Sequence, residues 1–289
     1  MACPICKQKK ILYSIKTKDY EYNLKTSARY DQCIACETIY RNFPKKIKKS
    51  SQKKYYKEKD YLPLKGGIIY DFLKKIYANY EIKKFNNIIN LSKFKKILDI
   101  ACGKGYLIKK IAKTYNAQCF GIDANIESKN QNNVKFIKSS FDNYKLIKKI
   151  KPDFIIINNF IEHIEDIYKI HKLISSMKKK SVLIILTPDA NSSGRNIFAN
   201  YWSGYHAPRH KTIFNEDSLQ LFISKNKKIT YSFYKIYDPF TNILSIRNFT
   251  KQISFKNIFY DIFQIISFSL CIFSDLLKKN RILLKIEKL

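Results

Sequence analysis

The sequence is short of acids and of uninterrupted apolar stretches. Asp and Glu number 23 against 55 Lys and Arg, which leaves a formal charge of +32. No uncharged apolar run reaches the roughly 18 residues that a membrane-spanning helix needs; the nearest, Ile262 to Phe273, is too short. The first ten residues, MACPICKQKK, hold no apolar core of the kind that directs export, so a cytoplasmic chain is expected. Seven cysteines spread over 289 residues exclude a small secreted disulfide scaffold. No internal repeat is present.

What the chain has in quantity is apolar and basic. Hydrophobic residues make up 45% and aromatics 15%, enough to bury the core of one ordinary domain with a small appendage and to exclude global disorder. The positive field should attract anionic partners: phosphates, nucleic acid or acidic lipid headgroups. The excess is nearly all lysine, alongside abundant isoleucine, asparagine and tyrosine, and the drift of a genome poor in G and C explains it as well.

Four cysteines are paired. Cys3-Pro-Ile-Cys6 and Cys33-Ile-Ala-Cys36 form two knuckles that can supply four thiolates at tetrahedral geometry to one zinc ion. This predicts a zinc-ribbon-like module over 1–45 with a structural metal. Neither CxxC opens a helix after a strand, as thioredoxin-type redox chemistry requires. Cys102, Cys119 and Cys271 are isolated and read as buried apolar residues.

A basic linker, 46–64, follows the module. Ile68, Ile69, Phe72, Leu73, Ile76 and Tyr77 recur at helical spacing and predict an amphipathic helix. From Lys95 short apolar runs alternate with helix-length segments: KILDIA (96–101), QCFGID (118–123), VKFIKS (134–139), DFIIIN (153–158) and SVLIILT (181–187). That is βαβ repetition, and it predicts an α/β domain with a doubly wound parallel sheet over 65–250. An irregular stretch to His210, a helix over Glu216–Ile223 and a strand near Ile229–Tyr237 complete it. Residues 251–289 read as an apolar and basic helical tail. Its 253–277 segment, flanked by Lys251, Lys256, Lys278, Lys279 and Arg281, suits a membrane interface at the inner face, packing on the domain, or a dimer contact. Asp261, Gln264 and Asp275 argue against spanning.

LDIACGKGYLIKKIAK starts as a buried strand, turns at small residues and enters a helix. Gly103 and Gly105 let a ligand approach the backbone and turn the helix N-terminus toward it. Asp123 ends the next strand, where an acid suits the hydroxyls of a ribose. A dinucleotide site shows the same signs. Asp99, however, stands just before the turn, where it would repel a pyrophosphate and attract a cationic amino-acid end.

Asp99-Ile-Ala-Cys-Gly-Lys-Gly105 resembles the first motif of class I S-adenosylmethionine methyltransferases, and GIDAN resembles their second. VKFIKSSFDN, DFIIINNFIEHIED and LIILTPDANS resemble the segments that follow. WSGYHAPRHKTIF is similar to the substrate-side loop of the ubiquinone-type O-methyltransferase branch. The resemblance covers about 65–240 and implies a Rossmann-like sheet with S-adenosylmethionine as cofactor. It places Asp99 and Gly103 at the methionine end, with Ala101, Cys102 and Gly105 in the same turn. Asp123 with Ala124 falls at the ribose, Ser140 and Phe141 at the adenine, and Asn158 and Asn159 on the sulfonium side. Ala101 replaces the motif's first glycine, and Ser140 stands where an acid usually meets the adenine amine. In that branch a glutamate–histidine pair with an earlier acid can hold a divalent metal; here Asn159 takes the acid's place, which argues against a catalytic metal.

Because a methyl sulfonium is already activated, catalysis is in-line positioning plus removal of a hydroxyl proton. Candidate bases are Glu162 and His163, on the helix after the fourth strand, and His206 and His210, in an aromatic loop read as a lid. A ribbon joined to such a domain resembles bacterial enzymes of sugar and surface-polysaccharide chemistry, implying a small-molecule, glycan- or lipid-linked acceptor. Two alternatives remain open at this point: an RNA methyltransferase, and a non-catalytic zinc-ribbon binding protein with a degenerate methyltransferase fold.

Overall fold

The computed structural model describes residues 1–20, 26–42, 68–126, 129–131, 133–250 and 279–289. The linker at 46–64 and the apolar stretch 253–277 lie outside the described residues. In chain order come β1 (Ile11–Lys18), β2 (Ser27–Cys33), β3 (Ile39–Asn42), α1 (Ile68–Ile88), β4 (Lys96–Ile100), α2 (Tyr106–Thr114), β5 (Gln118–Asp123), β6 (Val134–Lys138), α3 (Tyr144–Ile150) and β7 (Phe154–Asn158). There follow α4 (Lys169–Ser176), β8 (Val182–Pro188), α5 (Ser193–Phe198), β9 (Thr212–Ile213), α6 (Glu216–Ile223), β10 (Ile229–Ile236), α7 (Pro239–Thr250) and β11 (Arg281–Lys288).

The main sheet has seven strands in the order β10-β11-β8-β7-β4-β5-β6. The five strands from β8 to β6 run parallel. Their isoleucine-rich sequences follow from that arrangement: Phe154 to Ile157 and Leu183 to Leu186 are wholly buried because helices and loops cover both faces of the sheet. Helix α2 shows how the covering works. Leu107, Ile108 and Ile111, at three- and four-residue spacing, turn inward. At α6, Asn215 and Ser218 form a reciprocal capping box that fixes where the helix begins.

One boundary read from the sequence is corrected. The domain does not stop at 250, because 281–288 is strand rather than helical tail. Strand β11 inserts between β8 and β10 and runs antiparallel to both, with Leu283 opposite Leu186 and Leu284 opposite Phe233. Ile282, Leu283, Leu284 and Ile286 are buried because both edges and both faces of this strand are covered. The cysteine-bearing segment is joined to this domain through a short strand. Strands β1, β2 and β3 form an antiparallel sheet whose fourth strand is β9, with Ile39 opposite Ile213 and Tyr40 opposite Thr212. Cys3, Ile5, Cys33 and Cys36 belong to the same apolar cluster as Ile155, Ile157, Phe214 and Phe222 of the main domain. Among the described residues, no helix is long and apolar enough to cross a membrane.

Candidate active site

The carboxyl ends of β4, β5, β7 and β8 converge on one edge of the sheet. After β4 the chain turns through three left-handed residues: Ala101 (φ 59°), Gly103 (φ 53°) and Gly105 (φ 72°). Gly105 also packs tightly, since a Cβ there would lie 2.5 Å from the Phe136 ring. A Cβ on Gly103 would meet nothing within 4 Å, so the backbone there faces open space that a ligand can approach.

Asp123 holds this turn in place. One of its carboxylate oxygens accepts from the Gly103 amide at 3.0 Å and the other from the Asn125 amide at 2.8 Å. Each oxygen keeps a lone-pair site for a further donor such as a ribose hydroxyl. Asp99 is buried beneath the turn. Burial lifts its carboxyl well above the usual range, and the charges of Glu81 and Asp123 add to the shift. Acids at the ends of both β4 and β5 suit this edge poorly to a pyrophosphate. Cys102 is half-buried behind the turn and Ala124 is exposed just past β5. Ser140 bonds to Asp142, which pairs with Lys169 at 2.5 Å, and the Phe141 ring meets Phe160 edge-on at 5.2 Å.

Asn158 and Asn159, expected on the sulfonium side, are both held by one side chain. The fully buried Arg281, from the start of β11, donates to the side-chain oxygens of both, at 2.7 and 2.8 Å. It also donates to Glu81 at 3.0 Å and to the Tyr77 hydroxyl at 2.8 Å, and Asn158 in turn donates to Glu81. Glu81 and Arg281 were missed by the sequence reading. One lies in a lysine-rich helix and the other in the supposed tail, 200 positions away, and no local pattern couples them.

Beyond the asparagines, His163 and His210 meet Glu162, and the His206 ring lies beside those two histidines. Glu162 and His163 sit on a single 3-10 turn, Ile161–His163, rather than on the expected helix. The His163 and His210 ring centroids are 4.6 Å apart, His206 and His210 4.9 Å, and His163 and His206 6.0 Å. Glu162 is wholly buried; its Oε2 accepts from Thr187 at 3.0 Å, while its Oε1 lies 3.8 Å from His210 Nε2. Burial pushes the Glu162 carboxyl up to about 7. Burial, then the neighbouring His163, depresses His210 well below the usual histidine range, so the ring is neutral. The 2.7 Å contact from His210 Nδ1 to the Gly204 carbonyl puts the proton on Nδ1 and a lone pair on Nε2, facing Glu162. Donor atoms of Glu162, His163 and His210 lie within 4.8 Å of one another, a spacing that three ligands of one divalent ion can adopt.

The loop that carries His206 and His210 differs from the expected lid. Trp202, Tyr205, Ala207, Arg209 and His210 are all buried, so the stretch is packed between the two sheets.

The paired cysteines close a second centre. Cys3 and Cys36 sulfurs are 3.5 Å apart and Cys6 and Cys33 sulfurs 3.4 Å, with all four within 4.8 Å of one another. Thiolates on one zinc ion, with Zn–S bonds of about 2.3 Å, stand about 3.8 Å apart, so the set fits that ion. The Cys3 thiol and then Thr38 hold the Cys36 thiol down at about 4, against its burial, which favours a thiolate there.

A family model described as a methyltransferase domain matches residues 29–225, well over half of the chain. Among solved structures, the chain is similar to an S-adenosylmethionine-dependent methyltransferase from Archaeoglobus fulgidus, at 19% identity over 76% of this chain and 94% of that one, with a TM-score of 0.45. It is also similar to the plantazolicin methyltransferase BpumL in complex with S-adenosylhomocysteine, at 15% identity over 82% and 88% of the two chains, with a TM-score of 0.48. Curated proteins give no significant match. With the family model matched across the glycine turn, the acid-lined edge and the histidine loop, the chain belongs to the methyltransferase-domain family.

Proposed function

We propose that the enzyme methylates a hydroxyl of a small or glycan-linked acceptor, with the cofactor over the Ala101–Gly105 turn and a structural zinc ion on Cys3, Cys6, Cys33 and Cys36. The observation that carries this reading is the meeting of buried Glu162 and His210 with half-buried His163, beside which lies the His206 ring, in a group that begins three residues past Asn159. The cofactor supplies an activated methyl group. Asp99 and Asp123 favour its cationic end and its ribose, and Ser140 and Phe141 border the adenine side. Arg281 fixes both asparagine side chains, so that edge of the pocket is pre-organised. The neutral His210 and its carboxyl neighbour are placed to take a hydroxyl proton, and the packed loop keeps water from them.

Calorimetric titration with S-adenosylmethionine and S-adenosylhomocysteine is the test. Micromolar binding that is lost in both Asp99→Ala and Asp123→Ala is expected. No binding to the folded protein would overturn the cofactor site. Tight, salt-sensitive RNA binding centred on the cysteine sheet would overturn the acceptor class.

A further inference from the structure

The loop with two of the clustered histidines is tied along its length to the cysteine-bearing sheet. Thr17 Oγ1 donates to the Asn200 carbonyl at 2.6 Å, and the Tyr20 and Tyr201 rings lie 5.2 Å apart. The Arg41 guanidinium donates to the Pro208 carbonyl, and the Lys211 carbonyl accepts from the Arg41 amide at 2.9 Å. At the centre stands Tyr30. Its ring is 1% exposed, and its hydroxyl lies 3.0 Å from the Tyr205 carbonyl and 2.9 Å from the His210 carbonyl.

That position has a consequence for the imidazole. A tyrosine hydroxyl has one proton, and here two carbonyls share it. Those carbonyls belong to His210 itself and to the residue after Gly204, whose own carbonyl accepts the His210 Nδ1 proton at 2.7 Å. Tyr30 therefore spans both ends of the short chain segment that closes the histidine's hydrogen bond. Holding residues 205 and 210 together keeps Gly204 within reach of Nδ1. While that bond stands, Nε2 carries no proton and points at Glu162.

We propose that Tyr30, with Arg41 as a second clamp, is a positioning residue of the methyl-transfer site that fixes the tautomer and direction of His210. The cysteine-bearing sheet is then a working part of the site, because β2 delivers the hydroxyl and β3 pairs with the strand that follows His210. The inference rests on reading the histidine cluster as the acceptor side.

The test is nitrogen–proton correlation spectroscopy of the imidazoles in the full chain, its cysteine site loaded with zinc. Four histidines give a spectrum simple enough to assign. His171, whose Nδ1 lies 2.6 Å from the Asn226 amide nitrogen, serves as a control away from the loop. The wild type should show His210 as a single neutral tautomer protonated at Nδ1. Tyr30→Phe keeps the ring and removes only the hydroxyl; the Nε2 resonance of His210 should then move toward the protonated position while His171 stays put. Arg41→Met should give a smaller shift of the same sign, and it decides the matter should Tyr30→Phe fail to fold. Unchanged His210 resonances, or equal shifts at His171, would overturn the proposal. The spectra need neither cofactor nor acceptor, so a failed cofactor titration leaves this result standing.

Discussion

Replacing Arg281 with methionine should be among the most damaging single changes at the sheet edge. The guanidinium is fully buried and donates to Glu81, Tyr77, Asn158 and Asn159 over 2.7–3.0 Å. Methionine fills most of the volume but leaves the Glu81 carboxylate, 2% exposed, with the Asn158 amide and no cation. Breaking a buried pair from one side costs about 3–5 kcal/mol, a large share of the roughly 5–15 kcal/mol that holds a domain folded. At about 2–4 °C per kcal/mol for a domain of this size, the melting temperature should fall by about 10 °C. Arg281 also lies 3.7 Å from buried Asp238, so Glu81→Gln in the Arg281→Met background removes one of two stranded charges and should return about 1–2 kcal/mol, which a double-mutant cycle reads as coupling. Urea unfolding followed by circular dichroism measures all four proteins. A loss below about 1 kcal/mol, the worth of an exposed pair, or strict additivity in the cycle, would refute both the burial of Arg281 and the placement of β11.

Other outcomes follow from the same geometry. Ala101 holds a left-handed conformation that costs an L-residue about 1–2 kcal/mol; Ala101→Gly relieves it against a smaller chain-entropy loss. Thermal unfolding should show a net gain of about 0.5–1 kcal/mol with cofactor affinity intact, and a loss would show that the turn is unstrained. The Glu162 carboxyl titrates at about 7 in the folded chain against 4.5 when exposed, so between those values the folded state binds the extra proton and stability falls as pH rises. In metal-free protein, the advantage of Glu162→Gln over wild type should grow by about 3 kcal/mol from pH 4.5 to 8, and a pH-independent difference would contradict the burial of that carboxyl. A chelator, by removing the proposed zinc ion, or Cys36→Ser should lower the melting temperature and speed tryptic cleavage at Arg209 and Lys211, because β3 braces β9. Unchanged cleavage would uncouple the two sheets.

The parts of the fold legible in the sequence are those where composition and burial act locally. The runs KILDI, QCFGID, VKFIK, FIIIN and VLIILTP appear as strands within a residue of their expected limits, because a strand covered on both faces must be apolar throughout. The glycine turn was legible because only small residues tolerate its backbone angles. Strand β11 was not. RILLKIEK follows a long apolar stretch and carries charges at both ends, so its insertion between distant strands leaves no periodic trace. The same holds for the site. Glu162, His163, His206 and His210 stand out by type, but their meeting depends on Thr187, Gly204 and Tyr30, ordinary residues that become partners only after the chain folds back. The join between the cysteine-bearing sheet and the main domain was not legible for a related reason: the pairing of β3 with β9 is two residues long, too short to mark the sequence.

The placement of β11 also bears on how the protein is made. During synthesis β8 and β10 leave the ribosome well before the strand that must lie between them, and until it arrives each presents an unpaired edge to other nascent chains. The Arg281 contacts at the sheet edge form only at that step. Pocket assembly and completion of the sheet are therefore one event, so a polypeptide released before residue 281 has neither a closed sheet nor a finished cofactor edge.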